Sequence, residues 1–147
     1  MRLLLLLSFF PVLATACISG YNTVFDGQCS EQYKDTSRYY SDSKNLCDAN
    51  DGHLLMLHSK EENDQYASVY KSYSTWIGLL CDGEKFVWED GTVATYTNFA
   101  NSESCNSANV DRRYYMSYST GKWSSYTNGN SNTFYIVCVA NIRSCKC

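Results

Sequence analysis

The chain has 147 residues, a formal net charge of −3, eight cysteines, thirteen tyrosines and one proline. Its length argues for one domain, and eight cysteines fit an oxidising compartment, which excludes a multidomain protein and a cytosolic enzyme. The acidic balance, with no basic stripe, excludes a nucleic-acid binder; the only adjacent basic pair, Arg112-Arg113, reads as a solvated strand position.

Residues 1–16 read as a secretory signal. Arg2 supplies the positive end, Leu3 to Leu7 and Phe9 to Leu13 the apolar stretch, and Ala14-Thr15-Ala16 the small-residue cleavage site. Cleavage leaves Cys17 first, keeps all eight cysteines and removes Pro11, the only proline. That apolar stretch is shorter than the ~20 residues a membrane span needs. The longest apolar run after it is Phe134 to Ala140. No membrane insertion is expected.

In chain order, Tyr21 to Phe25 and Gln28 to Tyr33 flank Asp26-Gly27, a hairpin signal. Cys17 and Cys29 lie on the two arms. Ser37 to Asp51 predicts a first helix with Ser37 as N-cap and Gly52 as its stop. Leu54 to Leu57 is a short buried strand. Ser59-x-x-Glu62 is a capping box that opens a second helix, with Tyr66, Val69, Tyr70 and Tyr73 as the inner face. From Ser74 onward the pattern is β: Trp76 to Leu80, Phe86 to Trp88, Thr92 to Ala94, Tyr114 to Tyr118, Lys122 to Tyr126 and Thr133 to Ala140. Asp90-Gly91, Gly121 and Asn128-Gly129 supply turns. Asn98 to Asp111 has no period; a loop of that length in a small domain is commonly functional. The order predicts an α+β domain.

Several pieces, in order, resemble C-type lectin-like domains. They are Gly52-His53-Leu54, Ser59-Lys60-Glu61-Glu62-Asn63, Trp76-Ile77-Gly78-Leu79, Phe86-Val87-Trp88-Glu89-Asp90-Gly91-Thr92, Tyr96-Thr97-Asn98-Phe99, Gly121-Lys122-Trp123 and Phe134-Tyr135-Ile136-Val137-Cys138. The style, especially Trp76-Ile77-Gly78-Leu79 with Cys81 close behind, is similar to secreted nematode members. The resemblance implies a double-loop α+β domain over 17–142, in which two helices pack on antiparallel sheets and disulfides staple the chain. An N-terminal hairpin would make it the long form, and 143–147 would be a cysteine-containing tail.

The resemblance pairs Cys47 with Cys138, and Cys17 and Cys29 fit its long-form hairpin. The family's second bond expects cysteines near Arg113 and near Thr127 or Asn128; both are absent. The remaining four cysteines allow three connectivities. Cys81–Cys105 is favoured, since both fall in or beside the long loop. Cys145 and Cys147 are then left for a link to a second chain or an unusual local bridge.

Members that bind sugar through calcium carry Glu-Pro-Asn or Gln-Pro-Asp in the long loop and Trp-Asn-Asp on the next strand. Here Glu103-Ser104-Cys105 and Trp123-Ser124-Ser125 stand in those places. Calcium takes about 6–8 oxygen ligands, and a non-proline cis bond costs ~2.5–4 kcal/mol. The usual calcium site is therefore expected to be lost, with no cofactor, although carboxylates such as Asp82, Glu84 and Asp111 could hold a structural ion. Glu103, Asn106, Asn109 and Asp111 are the candidate ligand-binding residues, with Tyr114, Tyr115, Tyr118 and Tyr126 nearby. Trp76, Trp88 and Trp123 read as core.

His53 and His58 fall on opposite faces of a strand and do not form a metal pair. No hydrolase or phosphate-loop motif occurs. Neither Glu61-Glu62 nor Glu89-Asp90 looks like a positioned catalytic pair. No Asn-x-Ser/Thr sequon occurs. The expectation is a secreted, extracellular binding module, not an enzyme, that recognises a glycan or protein ligand and, as the resemblance implies, acts in innate defence. The alternative is a structural or protein-interaction domain joined through its tail cysteines.

Overall fold

The computed structural model describes residues 15–17, 21, 23–25, 27–127, 132–141 and 143–144. The expected leader up to Ala14, the Asn128-Gly129 turn and the cysteines of the tail lie outside these residues. The strands are β1 (Thr15–Ala16), β2 (Thr23–Phe25), β3 (Gln28–Arg38), β4 (His53–Leu54), β5 (Thr75–Ile77), β6 (Leu79–Cys81), β7 (Phe86–Trp88), β8 (Arg113–Met116), β9 (Trp123–Tyr126), β10 (Phe134–Asn141) and β11 (Arg143–Ser144). Helix α1 is Tyr40–Ala49 and helix α2 is Lys60–Val69.

Among the described residues one seven-stranded sheet runs β2-β3-β10-β5-β8-β9, with β4 also paired to β10. All its pairings are antiparallel except β10 with β5. Hairpin β6–β7 and the pair β1–β11 stand apart.

Strand β10 organises the core. Its side chains alternate between the two faces, as strand geometry demands. Val137 and Val139 enter a cluster with Leu55, Leu57, Tyr66, Tyr70, Ile77, Trp88, Tyr114 and Trp123. Ile136, Cys138 and Ala140 enter a second cluster with Tyr40, Cys47, Leu54 and Trp76. Both faces of β10 are thus covered, α2 on one and α1 on the other, which explains its unbroken apolar run. The disulfide Cys47–Cys138 pins α1 to β10. Cys17–Cys29 and Cys81–Cys105 are bonded as well. All three tryptophans are buried.

The first helix begins later than its sequence suggests. Ser37 is not an N-cap: β3 continues through it to Arg38, which pairs with Phe134, and the Ser37 hydroxyl donates to Thr133 Oγ1 at 3.1 Å. Long-range pairing overrides the local preference. Tyr39 takes the cap position with no side-chain bond. The helix stop also differs. Asp51, at φ 57°, adopts the left-handed conformation, which Asp tolerates better than most residues. Gly52 instead permits a close approach of neighbouring groups. A Cβ there would lie 2.0 Å from the Tyr21 hydroxyl and 2.8 Å from the Val139 carbonyl.

The second helix starts where its capping box puts it. Glu62 N–H donates to Ser59 Oγ at 3.1 Å. The returning arm shifts by one residue, since Glu62 Oε2 accepts from His58 N–H at 2.5 Å. Its inner face is Asn63, Tyr66 and the following Tyr70; Val69 and Tyr73 are exposed, contrary to the sequence reading. The expected strand Trp76 to Leu80 is two strands. Gly78 breaks it by donating to Leu55 O at 2.8 Å and accepting from Glu89 N–H at 2.9 Å. Thr92 to Ala94 makes only a bridge, Val87 to Val93.

Candidate functional site

The long loop is anchored before it becomes irregular. Ala100 N–H donates to Trp123 O at 2.8 Å, and Trp123 N–H donates to Asn98 O at 2.9 Å. Phe99 packs its ring against Phe86, Tyr114 and Trp123 at 4.9–5.7 Å. Trp123 itself donates from Nε1 to Asn63 Oδ1 at 2.7 Å in the buried core. The far part of the loop is tied to β6 by Cys81–Cys105. The loop's shape is therefore set by β9, an aromatic plug and a disulfide.

Between these anchors Glu103 turns inward. Its side chain is only 15% exposed. Ser125 Oγ on β9 donates to Oε1 at 2.9 Å. Arg112 Nη1 lies 3.4 Å from Oε2 and donates to Ser125 Oγ at 2.9 Å. A carboxylate this buried is costly unless a cation and donors answer it, and here a guanidinium does so. Arg112 read from sequence as a bland solvated strand position; it instead precedes β8 and carries the one positive charge bonded to Glu103 among the described residues. No local signal in the sequence marks this role, since Glu103, Arg112 and Ser125 come together only in the fold.

The other candidates divide. Asn106 Oδ1 accepts from Ala108 N–H at 3.0 Å, and its amide donates to Ser104 Oγ at 3.2 Å. It thereby caps a single 3-10 turn, Ser107–Asn109. Asn109 donates its amide to Ser104 O at 2.6 Å. Both side chains hold the loop to itself. Asp111 is exposed at the loop's end. Glu103 alone of the four lines the open groove of about 720 Å³ on this face, with Asn98, Asn101, Ser102 and Lys122. Lys122 Nζ donates to Asn98 Oδ1 at 2.6 Å, which places an ammonium at the groove wall.

Of the aromatic residues near the loop, Tyr114 is buried and Tyr115 stacks on Phe134 at 4.2 Å. Tyr126 packs on the same Phe134 ring, at 5.8 Å. Only Tyr118 is broadly exposed. Burial, reinforced by Glu103 and opposed by Arg112 and Arg113, pushes the Tyr114 hydroxyl up to about 12.

The loop's donor set does not fit a calcium ion. One carboxylate faces hydroxyls, and a cation of the protein already sits on it. Among the described residues, no three His, Cys, Asp or Glu side chains gather in metal-binding geometry. Asp82 Oδ1 accepts from the Glu84 and Lys85 amides at 2.9 Å each, so it serves its own turn. His53 holds Leu54 O at 2.7 Å, while His58 lies on Trp88.

The family model for the lectin C-type domain matches residues 36–140. Over 101 residues the chain is 32% identical to the alpha-N-acetylgalactosamine-specific lectin of Patiria pectinifera, covering 60% of each chain. It is 30% identical to Snaclec 3 of Sistrurus catenatus edwardsii, covering 92% of this chain and 93% of that one. A crystal structure of a calcium-independent type II antifreeze protein superposes with a TM-score of 0.74 at 20% identity, covering 88% and 98% of the two chains; at that identity it speaks for the fold alone. Sequence and architecture agree, and the chain belongs to the C-type lectin domain family.

Proposed function

We propose that this protein is an extracellular binding domain that recognises carbohydrate on its long-loop face without calcium. The observation that carries the reading is the Glu103–Arg112–Ser125 cluster, which puts a fixed internal cation on the loop's inward carboxylate. A metal ion commonly orders such a loop and presents oxygen ligands; here the guanidinium, the disulfide and the Asn106 and Asn109 bonds do the ordering. The groove beside Glu103 offers amide, hydroxyl and ammonium groups that match sugar hydroxyls. Relatives named as an alpha-N-acetylgalactosamine-specific lectin and as asialoglycoprotein receptors support a glycan as the ligand class. Residues 1–16 serve as the leader, whose cleavage would remove strand β1 and its pairing with β11, and 17–142 as the domain; the setting is defence at a body surface.

The test is a glycan array probed with the folded protein and with the groove variants Asn101→Ala and Lys122→Ala. Binding to a defined set of glycans, reduced at least tenfold in both variants, is expected. Binding that both variants leave unchanged would move the ligand away from this groove. An array blank for folded protein would favour a protein ligand.

A further inference from the structure

A second groove lies between α2 and the turn that joins β8 to β9. It holds about 490 Å³ and is lined by Asp64, Ala67, Ser68 and Lys71 from the helix side and by Tyr118 to Gly121 from the turn. Asp64, Ala67 and Ser68 fall on one stripe of α2 by their spacing, and Lys71 follows in the turn after the Tyr70 C-cap. The turn is held against them: Gly121 adopts φ +66°, and a Cβ there would lie 3.0 Å from Ala67 Cβ and 3.4 Å from Asn63 Nδ2. Asn63 Nδ2 also donates to Gly121 O at 3.2 Å. The groove floor is therefore a fixed contact.

Its wall is chemically uneven. The Tyr118 side is half exposed, the most exposed large apolar residue among those described, while its backbone is fixed by a bond from N–H to Ser74 Oγ at 3.3 Å. Ser68, Ser119 and Thr120 contribute hydroxyls. Asp64 is engaged by Lys60 in an ion pair, and Lys122 adds to the positive field that holds its carboxyl below the usual range, after the Lys60 bonds. Lys71 has no ion pair among the described residues. The groove thus carries one carboxylate, Asp64, already answered by Lys60, and one ammonium, Lys71.

We propose that this groove binds an acidic saccharide: a ring stacked on Tyr118, its hydroxyls bonded to Ser68, Ser119 and Thr120, and its carboxylate or sulfate set against Lys71. An aromatic face meets the apolar side of a pyranose, hydroxyls satisfy its polar rim, and the lone ammonium selects charge. The site shares no lining residue with the long-loop groove, although Asn98 of that groove donates to Gly121 O at 3.0 Å.

The experiment is an amide-shift titration of the 15N-labelled protein with tri-galacturonate, with a sulfated chondroitin disaccharide and with neutral galactotriose. Shifts are expected at residues 64–71 and 118–121 for one or both acidic probes. Affinity should fall at least tenfold in Lys71→Ala and in Tyr118→Ala, and should weaken with added salt. A response to the carboxylated probe alone, or to the sulfated one alone, names the acid. Equal response to galactotriose, unchanged affinity in Lys71→Ala, or no shift at these residues with any probe would overturn the proposal. Shifts confined to 97–103 would also overturn it while leaving the long-loop reading intact. Lys71 is exposed, so its variant separates lost binding from lost folding.

Discussion

At the scale of single residues, Arg112 is the side chain on which the loop depends. Removing it leaves a mostly buried carboxylate with one hydroxyl donor. Hydrogen bonds to charged groups are worth ~1.5–3 kcal/mol, and the Arg112 side chain is about one third exposed, so screening reduces that value. Arg112→Ala should cost about 1–2 kcal/mol in urea unfolding. Adding Glu103→Gln to it should recover part of the loss, because the uncompensated charge is gone. Full additivity of the two changes would contradict the coupling. The tyrosines make a second prediction. Burial, with Tyr33, Asp51 and Glu31 adding to it, pushes Tyr21 up to about 12, and Tyr114 stands at about 12 as well. Burial and Glu89, which accepts from the Tyr40 hydroxyl at 2.7 Å, raise Tyr40 further. These groups favour the folded state while they are neutral. Their contribution is complete below the unfolded value near pH 10 and is lost as pH rises through about 12. Tyrosinate absorbance from Tyr21, Tyr40 and Tyr114 should therefore appear only well above pH 10, together with loss of circular dichroism. Ionisation of these three near pH 10 with the fold intact would contradict it.

At the scale of elements, the cross-links and the local signals carry different parts of the fold. The Cys81–Cys105 bond closes 24 residues, which chain-entropy models value at roughly 3–4 kcal/mol. Replacing both cysteines with serine should lower stability by that order and broaden the amide signals of 98–111 first. Broadening that starts in α1 would place the constraint elsewhere. Sequence made such elements legible where a local bond decides them: Ser59 caps α2, Gly27 turns with positive φ, and Phe86 to Trp88 forms its strand. It failed where a distant partner decides. Ser37 has good cap chemistry, yet β10 recruits it into β3. Val69 fits the helical stripe, yet α2 shifts its buried face toward Asn63, whose amide must meet Trp123. Gly78 looked like strand interior and instead bonds across to Leu55 and Glu89. The site was legible in the same uneven way. Glu103 could be placed by resemblance, while Arg112 could not, because its role exists only when loop, β8 and β9 come together. Asn106 and Asn109 had the right chemistry for a ligand and direct it to their own loop.

At the scale of the whole molecule, one central strand buried on both faces holds a helix on each side and leaves the long loop at one end. The loop is ordered by protein groups: an aromatic plug, a disulfide, two asparagines and an internal ion pair. A domain so built should hold its shape and its ligand in the same way whether or not calcium is present. The most direct measurement is glycan-array binding by the folded protein, in millimolar calcium and again in EDTA, with Arg112→Ala alongside. The same glycans at the same strength are expected in both buffers for the natural chain, with weakened binding in both for the variant. Binding that EDTA abolishes in the natural chain would contradict this, and would mean that calcium rather than Arg112 completes the loop.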